Sequence, residues 1–314
     1  MAGQVWATDS LGGFMYSNQL SDILRNVAQP LERFRQFCDA KDASMGGKSK
    51  GATFTWNIYN NVAAAGTVLV ETTTIAKTTY TIAQGTLTMS EWGNSVDYSG
   101  KLDDLSFHPV KEIVTKVLKN DAASVLDSVA YAEFNKAPLV YVPQGTASHA
   151  LTTNGTATAT ATSQTFNKWH ARNIQILMKE RNIPGYMGDD YMCVAKPSFF
   201  QTLRGELETV HQYTTQGFGL IMNGEIGRFE GIRFVEQTQQ ALTMASSGGE
   251  AFFFGEDTVA EAVAVPLEVR GKIPQDYGRD RGVAWYYLGG FAIVHNASMS
   301  TVANSRVLKW TSKA

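Results

Sequence analysis

The sequence predicts an α+β fold in which an extended β ribbon, a long helix and a compact α/β unit follow one another along the chain. Three observations carry this. Residues 51–100 alternate apolar and polar side chains, residues 106–138 repeat apolar side chains every three or four positions, and residues from about 185 onward mix short strand-like and helical runs between glycine and proline breaks. The 314 residues suffice for one large or two modest domains. A chain with 44% hydrophobic and 18% charged residues packs a core rather than staying disordered. The net charge of -2 offers no chain-wide attraction for phosphate backbones or anionic lipid, so nucleic-acid binding as a main task is disfavoured. Cys38 and Cys193, the only cysteines, supply neither a disulfide framework nor a four-thiolate zinc site, a usage that fits reducing cytoplasm. Neither an apolar run of about 18 residues nor the basic flank and apolar segment of a secretory signal is present, so no membrane span is expected.

Taken in order, the first fifty residues read as a polar arm carrying a short helical stripe: Leu20, Ile23, Leu24 and Val27, then Leu31, Phe34 and Cys38. Pro30 kinks or splits it. A glycine and lysine link follows from Asp39 to Gly51. Residues 51–100 hold only four charges, Glu71, Lys77, Glu91 and Asp97. Their apolar residues Phe54, Trp56 and Ile58, then Tyr80 and Ile82, then Leu87 and Met89, alternate with threonine, asparagine and serine, which gives strands with one apolar face. Val68 to Ala76 is expected to be the turning region of a long hairpin. A two-stranded ribbon is marginal alone in water, so this face should rest on something else. Trp56 and Trp92, on a segment with little core of its own, are expected to bury against a neighbouring subunit.

The longest helix is expected from a Ser106 cap, with Pro109 in the opening turn, to about Pro138, a rod of about 40 Å. The threonine and alanine string at 145–165 reads as a surface loop or edge hairpin. A second helix is expected from about Phe166 to Arg181, stopped by Asn182-Ile183-Pro184-Gly185. Then come a strand at Tyr191 to Ala195, a helix opened by Pro197 and running to about Leu207, and strands at Ile232 to Glu236 and Ala251 to Phe254. Gln216 to Gly231 is glycine-punctuated. Val259 to Val269 and Val283 to Val302 are near-continuous β material, broken at Gly289-Gly290, that should return beside the long helix.

No motif for catalysis, cofactor or metal emerges. Gly46-Gly47-Lys48-Ser49 has Ala43 where a phosphate loop needs glycine, and Gly217-Phe-Gly219 lacks the third glycine of a dinucleotide fingerprint. His108, His149, His170, His211 and His295 form no pair spaced to share a metal. No Gly-x-Ser-x-Gly elbow marks a nucleophile. Phe252, Phe253, Phe254, Trp285, Tyr286 and Tyr287 read as core strand residues, since no lysine or arginine interleaves them as in a base-stacking platform.

This order of arm, ribbon, long helix, α/β unit and returning strands resembles the major capsid proteins of tailed bacteriophages, whose shared architecture is the Johnson or Hong Kong ninety-seven fold. Met15-Tyr-Ser-Asn-Gln-Leu-Ser-Asp-Ile-Leu-Arg-Asn-Val-Ala-Gln-Pro-Leu-Glu-Arg-Phe-Arg-Gln-Phe37 is similar to capsid proteins of the coliphage N-four type. Ile226-Gly-Arg-Phe-Glu-Gly-Ile-Arg-Phe-Val-Glu236 resembles the stretch where a strand returns to the family's apical domain.

The resemblance implies an N-terminal arm at 1–50, an extended loop at 51–103 laid over an adjacent subunit, a peripheral domain with its spine helix at 104–184, an axial domain at 185–275 and return strands of the peripheral domain at 276–314. The expected interface side chains are Phe54, Trp56, Ile58, Tyr80, Ile82, Leu87, Met89 and Trp92. The implied function is the icosahedral virion shell of a tailed phage, assembled in host cytoplasm from hexamers and pentamers around double-stranded DNA that is enclosed without specific binding. Scaffolding and portal proteins are the implied partners, with room for decoration proteins; no enzyme activity, cofactor or membrane is implied. The chain begins at the arm without a long helical leader, so a separate scaffolding protein is expected. Lys77, the only lysine of the ribbon, is the one candidate for the isopeptide cross-link of some members, with no motif identifying an asparagine partner. An encapsulin-type compartment, on the same fold, and a β-rich enzyme or ligand-binding module are the rival readings.

Overall fold

A computed structural model of the chain describes residues 32–42, 51–60, 62, 66–72, 74–75, 77–155, 164–211, 227–238, 244–245, 248–274, 276–295 and 305–312. The expected stripe from Leu20 to Leu31, most of the glycine and lysine link, the centre of the threonine and alanine string and the loop from Gln216 to Ile226 lie outside the described residues.

The first half of the chain carries a 3₁₀ turn at Arg35–Phe37, then β1 (Asp39–Asp42), β2 (Thr53–Tyr59), β3 (Ile82–Thr88), β4 (Ser90–Ser99), α1 (Gly100–Leu105), α2 (Val110–Phe134), β5 (Leu139–Gly145) and β6 (Ser148–Thr152). The second half adds α3 (Lys168–Glu180), β7 (Tyr191–Ala195), α4 (Gln201–His211), β8 (Arg228–Phe229), β9 (Ile232–Glu236), β10 (Met244–Ala245), β11 (Gly248–Phe254), β12 (Val259–Gly271), β13 (Asp280–Ile293) and β14 (Val307–Thr311). Three sheets result: β1-β12-β13-β4, an eight-stranded sheet in the order β6-β5-β14-β11-β7-β9-β8 with β10 beside β11, and the ribbon β2-β3. Strand β14 thus sits between β5 and β11, and β12 lies in the four-stranded sheet.

The period of two along the eight-stranded sheet divides its side chains between two cores. Phe252, Phe254, Met192 and Val194 turn toward α2. Phe253, Ala251, Tyr191, Cys193 and Ala195 turn to the opposite face, where Ile174 and Met178 of α3 and Leu203 and Leu207 of α4 cover them. Helix α2 buries Val110, Val114, Leu118, Ala122, Leu126, Ala130 and Phe134. A strict four-residue spacing advances about 40° per step around an α-helix, so the buried stripe winds as the rod lengthens. Midway, Asp121 accepts the indole N–H of Trp285 from β13 at 2.9 Å. At its end Phe134 lies 6.2 Å from Phe252 and 5.2 Å from Phe254 of β11. One helix therefore ties the two larger sheets together.

Three expectations change in detail. Ser106 does not cap the long helix: it ends α1, its hydroxyl donating to His108 O at 2.8 Å, and Pro109 occupies the N-cap of α2. The helix stops at Phe134 rather than Pro138, because Ala137 precedes a proline and is driven from helical geometry; Lys136 N and Ala137 N close the end with 3₁₀ bonds to Glu133 O and Phe134 O. Strand β13 runs unbroken through Gly289-Gly290. A Cβ at Gly289 would lie 2.5 Å from Ala262 O, and one at Gly290 would lie 2.5 Å from Thr88 O, so these glycines admit neighbouring backbone instead of ending the strand.

Candidate assembly surfaces

The ribbon has two parts that its composition does not distinguish. In its root, β2 and β3 pair from Thr53↔Thr88 to Tyr59↔Ile82. Alternation puts Phe54 and Trp56 half-buried and Ile58 buried on one face, with Thr53, Thr55 and Asn57 in solvent. Leu87 is 1% exposed. Trp56 lies across Gly85, where a Cβ would start 2.2 Å from the indole, and its Nε1 donates to Val294 O at 3.3 Å. Met89 donates its N–H to Ala52 O at 2.8 Å. Trp92 belongs to β4, opposite Tyr287, and packs half-buried on the core around α2, with its Nε1 buried and without an acceptor among the described residues. Phe54, Trp56, Ile58, Leu87, Met89 and Trp92 therefore sit in or beside the seated root of the ribbon.

Beyond Tyr59 and Ile82 the ladder ends with Asn60 N bonded to Thr81 O at 3.0 Å. Tyr59, Val68, Leu69, Val70, Ile75, Tyr80 and Ile82 are all exposed, Val68 to 94%. Tyr80, beyond the ladder, and Ile82, on its last rung, thus belong to an apolar end that no described residue covers. Glu71 and Lys77 are exposed there too.

A third element, missed in the sequence, anchors the arm. Phe34 is fully buried, with ring centroids 5.4 to 5.5 Å from Tyr131, Phe134 and Phe252. Arg35 donates its backbone N–H to Asp127 at 2.9 Å and its guanidinium to Glu261 Oε1 at 2.7 Å, where Tyr287 OH also donates at 2.8 Å. Gln237 donates to Asp127 at 2.7 Å and accepts from Arg33 N at 3.0 Å. Burial pushes the Asp127 carboxyl above the usual range against these hydrogen bonds, which favour the ionised form. β1 then runs parallel to β12 from Asp39↔Ala260. The described end of the arm is thereby fixed to the body. Only the apolar stripe Phe34 to Cys38 hinted at this, since the partners are 92 and 226 residues away.

A smaller apolar corner lies where α1 meets the β12-β13 turn. Leu105, Phe107, Ile273 and Tyr277 are exposed, and Gly100 N bonds to Arg279 O at 2.8 Å. The stretch resembling the capsid family's returning strand is a hairpin: Glu230 and Gly231, both at positive φ, turn β8 into β9, and Arg228 and Arg233 hold buried Asp190 at 2.7 and 2.9 Å.

The remaining polar residues do structural work. His170 is buried with Nε2 3.0 Å from Gly145 O, so Nε2 donates there and Nδ1, at 2.8 Å, accepts from Tyr141 OH. Burial pushes this imidazole down to about 4 and raises the Cys193 thiol. Among the described residues no three His, Cys, Asp or Glu side chains converge as metal ligands.

Residues 84–299 match a family described as phage capsid protein. No curated protein matches the chain in sequence. Among solved structures, the capsid of cyanophage P-SCSP1u is similar with a TM-score of 0.68 at 11% identity, covering 96% of this chain and 94% of that one. The mature capsid of bacteriophage PhiM1 gives 0.65 at 14% identity, covering 95% and 93%. The capsid of Ralstonia phage GP4 gives 0.63 at 13% identity, covering 97% and 98%. At these identities the likeness shows the fold, the α+β fold of phage capsid subunits.

Proposed function

The chain belongs to the phage capsid protein family, and from that premise we propose that it builds the icosahedral head of a tailed phage around double-stranded DNA. It is a major capsid protein, a structural subunit of the virion shell and not an enzyme. The observation that carries the finer reading is the division of the ribbon. A root seated on its own body and an apolar tip standing off that body form an element completed by another copy of the chain. Such a contact is heterologous, since one copy's tip meets a different surface of the next, and it closes into rings and then a shell. Each 100 Å² of apolar tip removed from water contributes roughly 2.5 kcal/mol, repeated at every contact.

On this reading the arm is residues 1–50, the extended loop 51–103, the peripheral domain 104–184 with α2 as its spine, the axial domain 185–275, and 276–314 the returning strands, in the Hong Kong ninety-seven manner. Hexamers and pentamers are its capsomers, and capsids of the coliphage N-four type share its design. Scaffolding and portal proteins are its partners, with room for decoration proteins, and assembly takes place in host cytoplasm before the shell becomes part of the virion. The net charge of -2 suits containment of the genome without dense phosphate contacts.

The test is electron microscopy of the chain co-expressed with its scaffolding protein, beside a variant in which residues 62–80 are replaced by a short Gly-Ser turn. The parent should form shells, while the truncated chain should fold and remain as unassembled subunits or capsomers. Normal shells from the truncated chain would overturn the role of the tip.

A further inference from the structure

We propose that a polar cleft at the ribbon's root is a carboxylate-binding site that receives Glu71 from the ribbon of a second copy of this chain; the proposal rests on the ribbon reaching a neighbour. The cleft encloses about 380 Å³, and its polar lining is Asn60, Arg181, Asn182, His295, Ser305 and Arg306. It lies where β2 leaves the body, between the end of α3 and the end of β13.

Two of these groups are incompletely used. Arg181 follows the C-terminus of α3 and has no carboxylate partner among the described residues. His295 has a side chain 9% exposed, with Nε2 3.2 Å from Asp257 Oδ2 and Nδ1 buried without a partner among the described residues. Arg306 is shared between Asp257 Oδ2 at 3.3 Å and Glu256 O at 3.2 Å. Asp257 is thus the one carboxylate drawn upon by two of the cleft's cationic or protonatable groups, and Arg181 is left over. A guanidinium fork donates two parallel hydrogen bonds to a carboxylate, and the side-chain amide of Asn182 lines the same cleft as a further donor.

The complementary group is on the same chain. Glu71 is the only acidic residue between 51 and 90, stands exposed at the tip, and has no ion pair among the described residues. From Tyr59 to Glu71 the chain extends up to about 40 Å at ~3.3 Å per residue, so an extended ribbon carries Glu71 away from its own cleft. A neighbour's cleft has no such restriction, and tip-to-root pairing between copies is of the heterologous kind that closes a ring.

Charge exchange tests the contact. Glu71→Arg and Arg181→Glu, each made alone, should lower the yield of particles about tenfold at physiological salt while leaving the thermal melt of the free subunit unchanged, and the double variant should recover most of that loss. Single variants that assemble like the parent would overturn the site, as would a folded double variant that fails to recover. The 62–80 truncation separates the two ideas. If truncation prevents shells while the charge variants assemble normally, only the assignment of Glu71 to the cleft fails. If the truncated chain assembles, the reading of the ribbon fails first.

Discussion

The root and the tip of the ribbon draw on the same residue types, threonine and large apolar side chains, yet Leu87 in the root is 1% exposed and Tyr80 in the tip 61%. What separates them is the surface opposite. The root lies over Gly290 of β13, where backbone Thr88 O approaches too closely for any side chain, and Trp56 folds across Gly85. Two glycines make room at the root: Gly290 of β13 for the backbone of Thr88, and Gly85 for the indole of Trp56. No described residue covers the tip. Apolar alternation therefore specifies that a ribbon needs cover, and the glycines opposite decide which part of it is covered in cis.

The largest effect expected from this comparison is in the root. Leu87→Ala removes a fully packed side chain and should destabilise the isolated subunit by about 3 kcal/mol in urea melts, with the transition cooperative as before. A loss below about 0.5 kcal/mol would mean that the root is as loosely held as the tip. By the same reasoning, replacing Trp56 perturbs folding as well as assembly, and it is a poorer probe of the interface than a tip residue.

Acid should act on the body rather than on the tip. His170 is held neutral by burial, with a folded value of about 4 against 6.5 for an unperturbed imidazole. Above pH 6.5 both states are neutral at this site and it contributes no slope. Between about 6.5 and 4 the unfolded chain takes up a proton that the folded chain refuses, so stability falls as pH falls, by on the order of 2 to 3 kcal/mol at ~1.4 kcal/mol per unit. His170→Asn should flatten that slope whatever it does to stability at neutral pH. An unchanged slope would assign the acid sensitivity elsewhere.

Much of the fold is legible because local periodicity survives packing. Strands β7 and β9 fall where alternation and flanking breaks put them, and α2 follows its apolar stripe. The errors come from groups whose role depends on distant partners. Ser106 is a good N-cap by type but lies at the end of α1, and Gly289-Gly290 read as a break until Ala262 O and Thr88 O are seen against them. The two-residue strand β8 is too short to show a period. The arm anchor is invisible for the same reason: nothing near Arg35 in sequence announces Glu261 or Asp127. Alternation along the ribbon gave the inward positions of Phe54, Trp56, Ile58 and Leu87, but Ile82 pairs with exposed Tyr59 on the other face, and the boundary between root and tip needed the three-dimensional position of β13.

The smallest effect on folding should belong to the tip. Tyr80→Ser and Ile82→Ser replace side chains that are 61% and 52% exposed. Neither leaves a cavity, so each should change the stability of the free subunit by less than about 0.5 kcal/mol. In the shell the same side chains are assigned to a neighbour, where losing the burial of one large apolar group costs roughly 1.5 to 3 kcal/mol at every copy of the contact. The double variant should therefore melt like the parent as a subunit and yet produce few particles, or particles that dissociate at lower denaturant. Equal loss in subunit and particle would place these residues with the root, and no loss in either would leave the tip without a partner surface.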